Sequence, residues 1–349
     1  MKRHELADIL RDRIRGGEYA TGMRIPSQRQ LLQEFEVSPV TLQRAVDRLS
    51  EQGYLIARGS AGTFVTEHLP DRACCALVLT EDPEHAPINQ FFATLLRESR
   101  AWSDAAGWRF EPWFDHGTGP AHERLCERVA DGAIAGLLFA SLPYRFDHSP
   151  LLTAPVPRVA IGRLPPDCDV ANFAASLIHL RSAGVIEGIC ADFAKAGRRR
   201  FAAITGPGSA GEAQAGLAAA RKAGLDARIE WWLELPNAPN AVSCARVVAH
   251  LLCSGRPEDR PDCLLISDDN LVPAVTAGIL DAGLAPADIQ VVAHANFPDP
   301  IPSAVPCRRY GYDGRSILAT ALAEIGRLRD GQPRRSVEVP VTVVDADVG

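Results

Sequence analysis

Apolar residues recur three and four apart at Leu6, Ile9, Leu10 and Ile14, so the chain opens on an amphipathic helix. Two further helical patterns follow closely. Ser27 precedes the first, with Gln30 three residues on, which is the arrangement of a capping box. Ser38 precedes the second, with Pro39 at the first helical position, where a missing N–H costs nothing, and Gly53 ends it. In that second helix Leu42, Ala45, Val46 and Leu49 share one face and are predicted core. The opposite face carries Val40, Thr41, Arg44, Asp47 and Arg48, with Gln43 at its edge. The period then changes from helical to alternating. Tyr54–Arg58 and Thr63–Glu67 read as two strands around a Gly59–Gly62 turn. From residue 73 onward the pattern changes again, to short apolar runs separated by longer amphipathic stretches. Strands are predicted at 74–80, 108–114, 135–140, 157–162, 200–206, 229–235, 263–268 and 289–294. Helices are predicted around 89–106, 121–131, 174–196, 211–223, 241–254 and 270–282. That βαβ rhythm indicates parallel sheets covered by helices.

Two short helices, a tight turn and a hairpin form the skeleton of a winged helix-turn-helix, which lays its second helix in a DNA major groove. An arginine and a glutamine near the start of a capped helix, Arg44 and Gln43, suit base-edge hydrogen bonds, and Val40 suits a thymine methyl. A lone amphipathic helix with such a face is more often merely solvated, but here the preceding helix and the following hairpin favour DNA.

Residues 4–66 resemble the DNA-binding domain of the GntR family of bacterial transcription regulators. The matching segments are LADILRDRIRGGEYATGMRIPS, the V-S-x-x-T-L-x-R-A-V-x-x-L core from Val37 to Leu49, and EQGYLIARGSAGTFV. The resemblance implies DNA contacts from Ser27 and Arg29, from the start of the recognition helix (Ser38, Val40, Thr41, Gln43, Arg44, Arg48) and from the wing tip at Arg58 and Gly59. Pro39 and Gln43 stand where arginine is often found in the family, so the base preference departs from those members.

Beyond a linker at 68–72, residues 73–349 resemble the effector-binding domain of the LacI family, which has the type I periplasmic-binding-protein fold. The resemblance rests on Asn89-Gln90-Phe91-Phe92 at a helix start, on DGAIAGLLFASLP and VPRVAIGR, and above all on RPDCLLISDDNLVPAVTAGILDAGLAPADIQVVAHAN. Together the two resemblances imply an α+β winged head (residues 1–67) followed by two doubly wound parallel-sheet subdomains. A cleft would lie between them, with crossovers near 162–163 and 294–312. The LacI resemblance also implies effector contacts at Asn89, Phe91, Ser141, Arg163, Asp269 and Asn296. Arg163 and Asp269 would make charge-assisted bonds to a polyol. An aspartate just before a helix is also a common cap, and that reading stays open for Asp268 and Asp269. Sugar-binding members often carry an arginine where this chain has Ala213, so a sugar remains one candidate among related polar metabolites. Trp231 and Trp232 are read as core of a buried strand rather than as stacking platforms.

Charge changes the picture only slightly. The 349 residues hold 37 Lys+Arg against 43 Asp+Glu, a net −6. That acidity argues against nonspecific wrapping of nucleic acid, so phosphate attraction must come from the local placement of Arg29, Arg44, Arg48 and Arg58. Nine cysteines without a C-x-x-C pair, no apolar run of membrane-spanning length and no signal peptide predict a cytoplasmic chain with reduced, structural thiols. No metal and no cofactor are expected, because His and Cys are scattered without ligand spacing.

Enzymatic readings are weaker. Gly206-Pro207-Gly208-Ser209-Ala210-Gly211 spells G-x-G-x-x-G between a strand and a helix, which is the dinucleotide signature of a nicotinamide-dependent oxidoreductase. Pro207 removes one N–H from that cradle, and nothing downstream supplies an acid or base for hydride transfer. Only three lysines occur, Lys2, Lys195 and Lys222, which disfavours pyridoxal-phosphate chemistry. G-x-S-x-G is absent and no Ser–His–Asp constellation is legible. The expectation is a non-enzymatic, ligand-responsive repressor, a homodimer on an inverted-repeat operator; an architectural DNA binder without a ligand is the other binding-protein reading.

Overall fold

The computed structural model describes residues 3–344, apart from 52, 68, 70–73, 83–88, 103–107, 144–145, 147, 163–172, 181–183, 208–209 and 237–239. It begins with α1 (Arg3–Arg15), α2 (Gln28–Phe35) and α3 (Pro39–Glu51), then β1 (Leu55–Ala57) and β2 (Thr63–Val65). The two strands pair antiparallel, Leu55 opposite Val65, and an Arg24–Phe64 bridge adds a third segment to the wing. Leu6, Leu10 and Ile14 of α1 meet Leu31 of α2, Leu42, Ala45 and Leu49 of α3 and Tyr54 in one core. Burying each large apolar side chain there contributes roughly 1.5–3 kcal/mol against the entropy of ordering so small a domain. Arg13 fastens α1 to α2: it bonds to Glu34, donates to Tyr19 Oη at 3.1 Å, and lies 4.8 Å over the Phe35 ring.

The body holds two six-stranded sheets. One is built from β3 (Cys74–Leu79), β4 (Arg109–Phe114), β5 (Gly136–Phe139), β6 (Arg158–Ile161), β7 (Ser176–Leu180) and, from far along the chain, β13 (Ser336–Val339). In the chain α4 (Gln90–Arg100) follows β3 and α5 (Pro120–Ala130) follows β4, and the strand order of this sheet is β13-β7-β6-β5-β3-β4. The chain continues through α6 (Val185–Lys195), β8 (Arg200–Thr205), α7 (Ala210–Lys222), β9 (Asp226–Glu234), α8 (Ala241–Cys253), β10 (Cys263–Ile266), α9 (Val272–Asp281), β11 (Gln290–Phe297), β12 (Cys307–Asp313) and α10 (Gly314–Arg329). With β14 (Thr342–Val344) these strands make the second sheet, ordered β14-β12-β11-β10-β8-β9. Strands β8 to β12 run parallel, and β14 closes the edge antiparallel to β12. β3, β5 and β10 are buried at every position, as strands covered on both faces must be. In β10 the faces alternate: Leu264 and Ile266 join the core under α8 and α9, while Cys263 and Leu265 join the one that holds Ile189 and Phe193 of α6.

Both sheets reverse their winding. From β3 the chain adds β4 on one side and then β5 on the other, and from β8 it adds β9 and then β10. Ligands of open α/β sheets bind at such switch points, beyond the carboxyl ends of the strands. Here those ends are Ser141 after β5, and Gly206 and Asp268 after β8 and β10.

By its internal packing the chain divides into two units. One comprises Met1–Glu81, Ser99–Leu177 and Ala321–Ser336; the other comprises Asp82–Glu98, Ile178–Thr320 and Val337–Gly349. The unit boundaries fall at 81–82, 98–99, 177–178, 320–321 and 336–337, where the sequence reading expected crossovers near 162–163 and 294–312. The 294–312 stretch is internal to the second sheet, where β11 and β12 are adjacent parallel strands. In the first unit Glu324 fixes the returning chain. Its carboxylate is 1% exposed and accepts from Ser176 Oγ at 2.8 Å, Arg327 Nε at 2.9 Å and Arg335 Nε at 3.1 Å. Burial works to raise its pKa, but these donors win and hold it below the usual carboxylate value.

Two further expectations differ from the structure. The predicted helix 174–196 is a strand, β7, and then a separate helix, α6, which starts after Gly184 at φ +80°. Its first part is strand because Leu177 N–H reaches the Arg335 carbonyl at 2.9 Å, a partner 158 positions along the chain. After residue 294 the sequence reading assigned no helix or strand, whereas β12, α10, β13 and β14 all lie there.

Candidate DNA interface and ligand site

On α3, Val40 is 59% exposed and shares the outer face with exposed Gln43, Arg44 and Asp47; Thr41 and Arg48 are half-buried. Leu42, Ala45 and Leu49 are no more than 1% exposed on the other side, so the core and outer faces lie where the periodicity put them. Ser27 and Ser38 act as caps. Ser27 N–H donates to Gln30 Oε1 at 2.8 Å, completing a capping box, and Thr41 N–H donates to Ser38 Oγ at 3.2 Å. Gln43 Nε2 donates to Asp47 Oδ1 at 2.7 Å, so one of its donors is turned along the helix. Arg29 is exposed and lines, with Gln28, Leu32, Gln33 and Pro39, a shallow groove of about 560 Å3 between α2 and the start of α3.

At the wing, Gly59 adopts φ +55° and Arg58 stacks 5.0 Å over Phe64 while lying 3.7 Å from Glu67. Arg24 lies across the same turn: a side chain at Gly62 would meet its Nε at 2.5 Å. The sequence reading missed Arg24, because only the Arg24–Phe64 bridge carries it to the wing. The head therefore presents Arg24, Arg29, Arg44 and Arg58 on its exposed surface, despite the acidic chain.

In the second unit, the carboxyl ends of β10, β11 and β12 gather a polar cluster. Asp269 is 4% exposed and accepts from Asn296 Nδ2 at 2.7 Å; Asn296 is 3% exposed. His294 Nδ1 stands 3.9 Å from the other Asp269 oxygen, and its ring packs 5.5 Å from Tyr310 and 5.9 Å from Tyr312. Burial pushes the Tyr312 phenol up to about 12, and Tyr310 is raised as well, so both are neutral near pH 7. Asp268 is the helix cap, accepting from Asn270 N–H at 2.9 Å, which leaves Asp269 to the cluster. Asn270 Oδ1 accepts from Gln90 N–H at 2.9 Å, and this ties the start of α4 to the same loop. Asn89 caps α4 through Phe92 N–H at 3.1 Å, while Phe91 is half-buried beside Phe92. Asn89, Phe91, Asp269 and Asn296 thus belong to one unit. Ser141 is half-buried beyond β5 in the other unit, and Arg163 lies outside the described residues. Arg309 was not anticipated: it is buried, donates to the Ile301 carbonyl at 3.0 Å, and its Nη1 finds no partner among the described residues.

The glycine loop after β8 is ill suited to a pyrophosphate. A side chain at Gly206 would meet Asp268 Oδ2 at 2.6 Å, so a carboxylate faces the position where phosphate oxygens would lie. Gly208 and Ser209 lie outside the described residues. Trp231 packs into the core on one face of β9, and Trp232 packs on the other, against Gly216.

A Ser–His–Asp constellation, which the sequence did not disclose, is present. His122 Nδ1 lies 2.9 Å from Asp115 Oδ2, and Nε2 lies 3.1 Å from Ser149 Oγ and 3.5 Å from Cys126 Sγ. Asp115 and Ser149 are 1% and 7% exposed, and Ser149 Oγ already accepts from Leu151 N–H at 3.1 Å. Acyl transfer needs a reachable hydroxyl beside an oxyanion site. The geometry instead describes a satisfied polar staple joining β4, α5 and the 149–152 turn. Among the described residues no group of three His, Cys, Asp or Glu side chains could hold a metal, and no helix is long and apolar enough to cross a membrane.

Residues 2–65 match the family model of bacterial regulatory proteins of the gntR family. The head is a GntR-type helix-turn-helix domain. It is 41% identical over 61 residues to the uncharacterized HTH-type transcriptional regulator YisV of Bacillus subtilis; the match covers 18% of this chain and 13% of that protein. The body has the LacI-type, periplasmic-binding-protein-like fold. A solved LacI-family regulatory protein from Chloroflexus aggregans matches 80% of this chain and 99% of its own at a TM-score of 0.59 and 17% identity. The transcriptional regulator CelR, solved with cellobiose, matches 90% of this chain and 92% of its own at 0.58 and 18%. At those identities the likeness is one of fold.

Proposed function

We propose that this chain is a sequence-specific transcription repressor whose operator affinity is set by a sugar or related polar metabolite, and that it acts as a homodimer on an inverted repeat. The observation that carries this reading is the union in one chain of a GntR-type head with a LacI-type body whose strand ends gather Asp269 and Asn296. A head alone accounts for DNA binding. The body accounts for its control, since a ligand that prefers one state of the body shifts the chain towards that state.

α3 reads base edges through Val40, Thr41 and Arg44, and Arg29, Arg48 and the wing at Arg58–Gly59 engage phosphates. In the second unit of the body, Asp269 accepts ligand hydroxyls, Asn296 supplies an amide, Phe91 offers an apolar wall to a sugar ring, and Asn89 stands beside it. Ligand binding releases DNA. CelR, a fold neighbour solved with cellobiose, makes disaccharides sensible first probes.

The test is to melt the full-length chain with a panel of sugars and polyols, then repeat DNA binding with each compound that raises Tm. A compound that raises Tm and weakens DNA binding supports the reading; one that tightens binding reverses its sign. No thermal response across the panel, with DNA binding intact, refutes the sugar assignment.

A further inference from the structure

In the first unit a recess of about 1060 Å3 lies among the second half of α3, the turn after α5, the segment before β6 and the end of α10. Five arginines line it, Arg44, Arg48, Arg158, Arg329 and Arg334, and among the described lining residues Asp330 is the one carboxylate. In a chain of net charge −6 this is a local inversion of sign.

The neighbouring arginines behave differently. Arg327 and Arg335 spend their charge on Glu324, and Arg128 bonds to Glu111 at 2.8 Å. Arg158 instead donates from Nε to the Ala174 carbonyl at 2.7 Å and from Nη1 to the carbonyls of Val156 at 3.3 Å and of Ala154, bonds that occupy those two nitrogens without cancelling its charge. Burial, and then the nearby Arg334, lower its pKa, which marks two guanidiniums close together. Arg334 is exposed and donates through Nη1 to the Phe173 carbonyl at 2.8 Å, so the rest of its fork is not fixed by that bond. Arginines that line a concavity of small-molecule size supply the charge and the N–H donors that phosphate oxygens accept.

We propose that this recess binds a small anion carrying two or more phosphates, held by Arg334, Arg158 and Arg44, and that the anion competes with DNA. The competition follows because Arg44 and Arg48 belong to the helix that reads DNA; this part rests on the function proposed above. The binding itself does not.

Inorganic pyrophosphate is the probe, titrated calorimetrically into the full-length chain, with sodium sulfate at matched ionic strength as the reference. Saturable binding is expected, weakened about tenfold or more by Arg334→Gln and by Arg44→Gln and unchanged by Arg228→Gln, an exposed arginine outside the recess. Absence of saturable binding, or binding that both recess variants retain, overturns the site. On a duplex selected by the chain, pyrophosphate should raise the DNA Kd more than sulfate does, and not in Arg334→Gln. A Kd that follows ionic strength alone overturns the competition. Weaker DNA binding by Arg334→Gln without pyrophosphate binding assigns the arginines to DNA phosphates and also overturns the proposal. If the chain selects no duplex, the proposed function fails while the calorimetric result stands.

Discussion

Arg44→Ala removes a guanidinium from the outer face of α3 while leaving the core of the head untouched. Its helical neighbours Leu42, Ala45 and Leu49 are no more than 1% exposed, and Arg44 itself is exposed. Truncation beyond Cβ therefore removes no buried contact, and stability should change by no more than about 0.5 kcal/mol. A good bidentate base contact is worth about 1–3 kcal/mol of discrimination, so the Kd on the selected site should rise about 5- to 150-fold. A phosphate contact behaves differently: it weakens binding on every sequence and lowers the salt slope of log K by about 0.9. Fluorescence anisotropy on the selected duplex and on a scrambled one, each over a range of salt, separates the two. The account predicts a large loss on the selected duplex and a small one on the scrambled. Equal losses, with a slope change near one ion, would refute base reading by Arg44. Undiminished binding would remove α3 from the interface altogether.

Other outcomes follow from the same geometry. Asp269→Ala leaves Asn296 buried without its carboxylate, at a cost of about 1–3 kcal/mol, and should abolish any ligand-induced rise in Tm while DNA binding stays as it was. Glu324 has its pKa held down in the folded chain, so its contribution is present above the unfolded carboxylate value and lost as pH falls through the folded one. Urea titrations of wild type and Glu324→Gln should differ by about 1.5–3 kcal/mol at pH 7 and converge as pH falls through the lowered folded-state value; a pH-independent difference would contradict the pairing. Burial raises Cys253 to about 11 and Cys190 to about 12, whereas Cys244 is exposed. Native iodoacetamide labelling at pH 8 followed by peptide mapping should therefore modify Cys244 well before either buried thiol.

The head was legible because its determinants are local. Ser27 and Ser38 announce caps, Gly59 and Gly62 announce a turn, and the apolar period separates the faces of α3 without reference to any distant residue. The central strands of the body were legible for a similar reason, since unbroken apolar runs such as Cys74–Leu79 fit strands covered on both faces. β7 was misread because its state is set from outside: Ser176–Leu180 lies between β6 and β13, strands that flank it only after folding. β12 carries Arg308, Arg309 and Asp313 around its tyrosines and so lacks the apolar run of its neighbours. The polar cluster around Asp269 was half legible. Asp269 and Asn296 came from the family resemblance, whereas Arg309 and the role of Asp268 as the cap required the fold. Asp115, His122 and Ser149 illustrate the limit most clearly, because nothing in their spacing indicates that three elements will bring them within hydrogen-bonding distance.

The central claim is that a sequence-specific DNA reader and a small-molecule sensor share this chain. The most direct measurement is to select duplexes from a random pool with the full-length protein at physiological salt, sequence them, and repeat the selection with each compound that raises its Tm. The account predicts enrichment of one inverted repeat, absent for Arg44→Ala, and loss of that enrichment in the presence of an active compound. A folded protein that enriches no sequence, with or without those compounds, would contradict it.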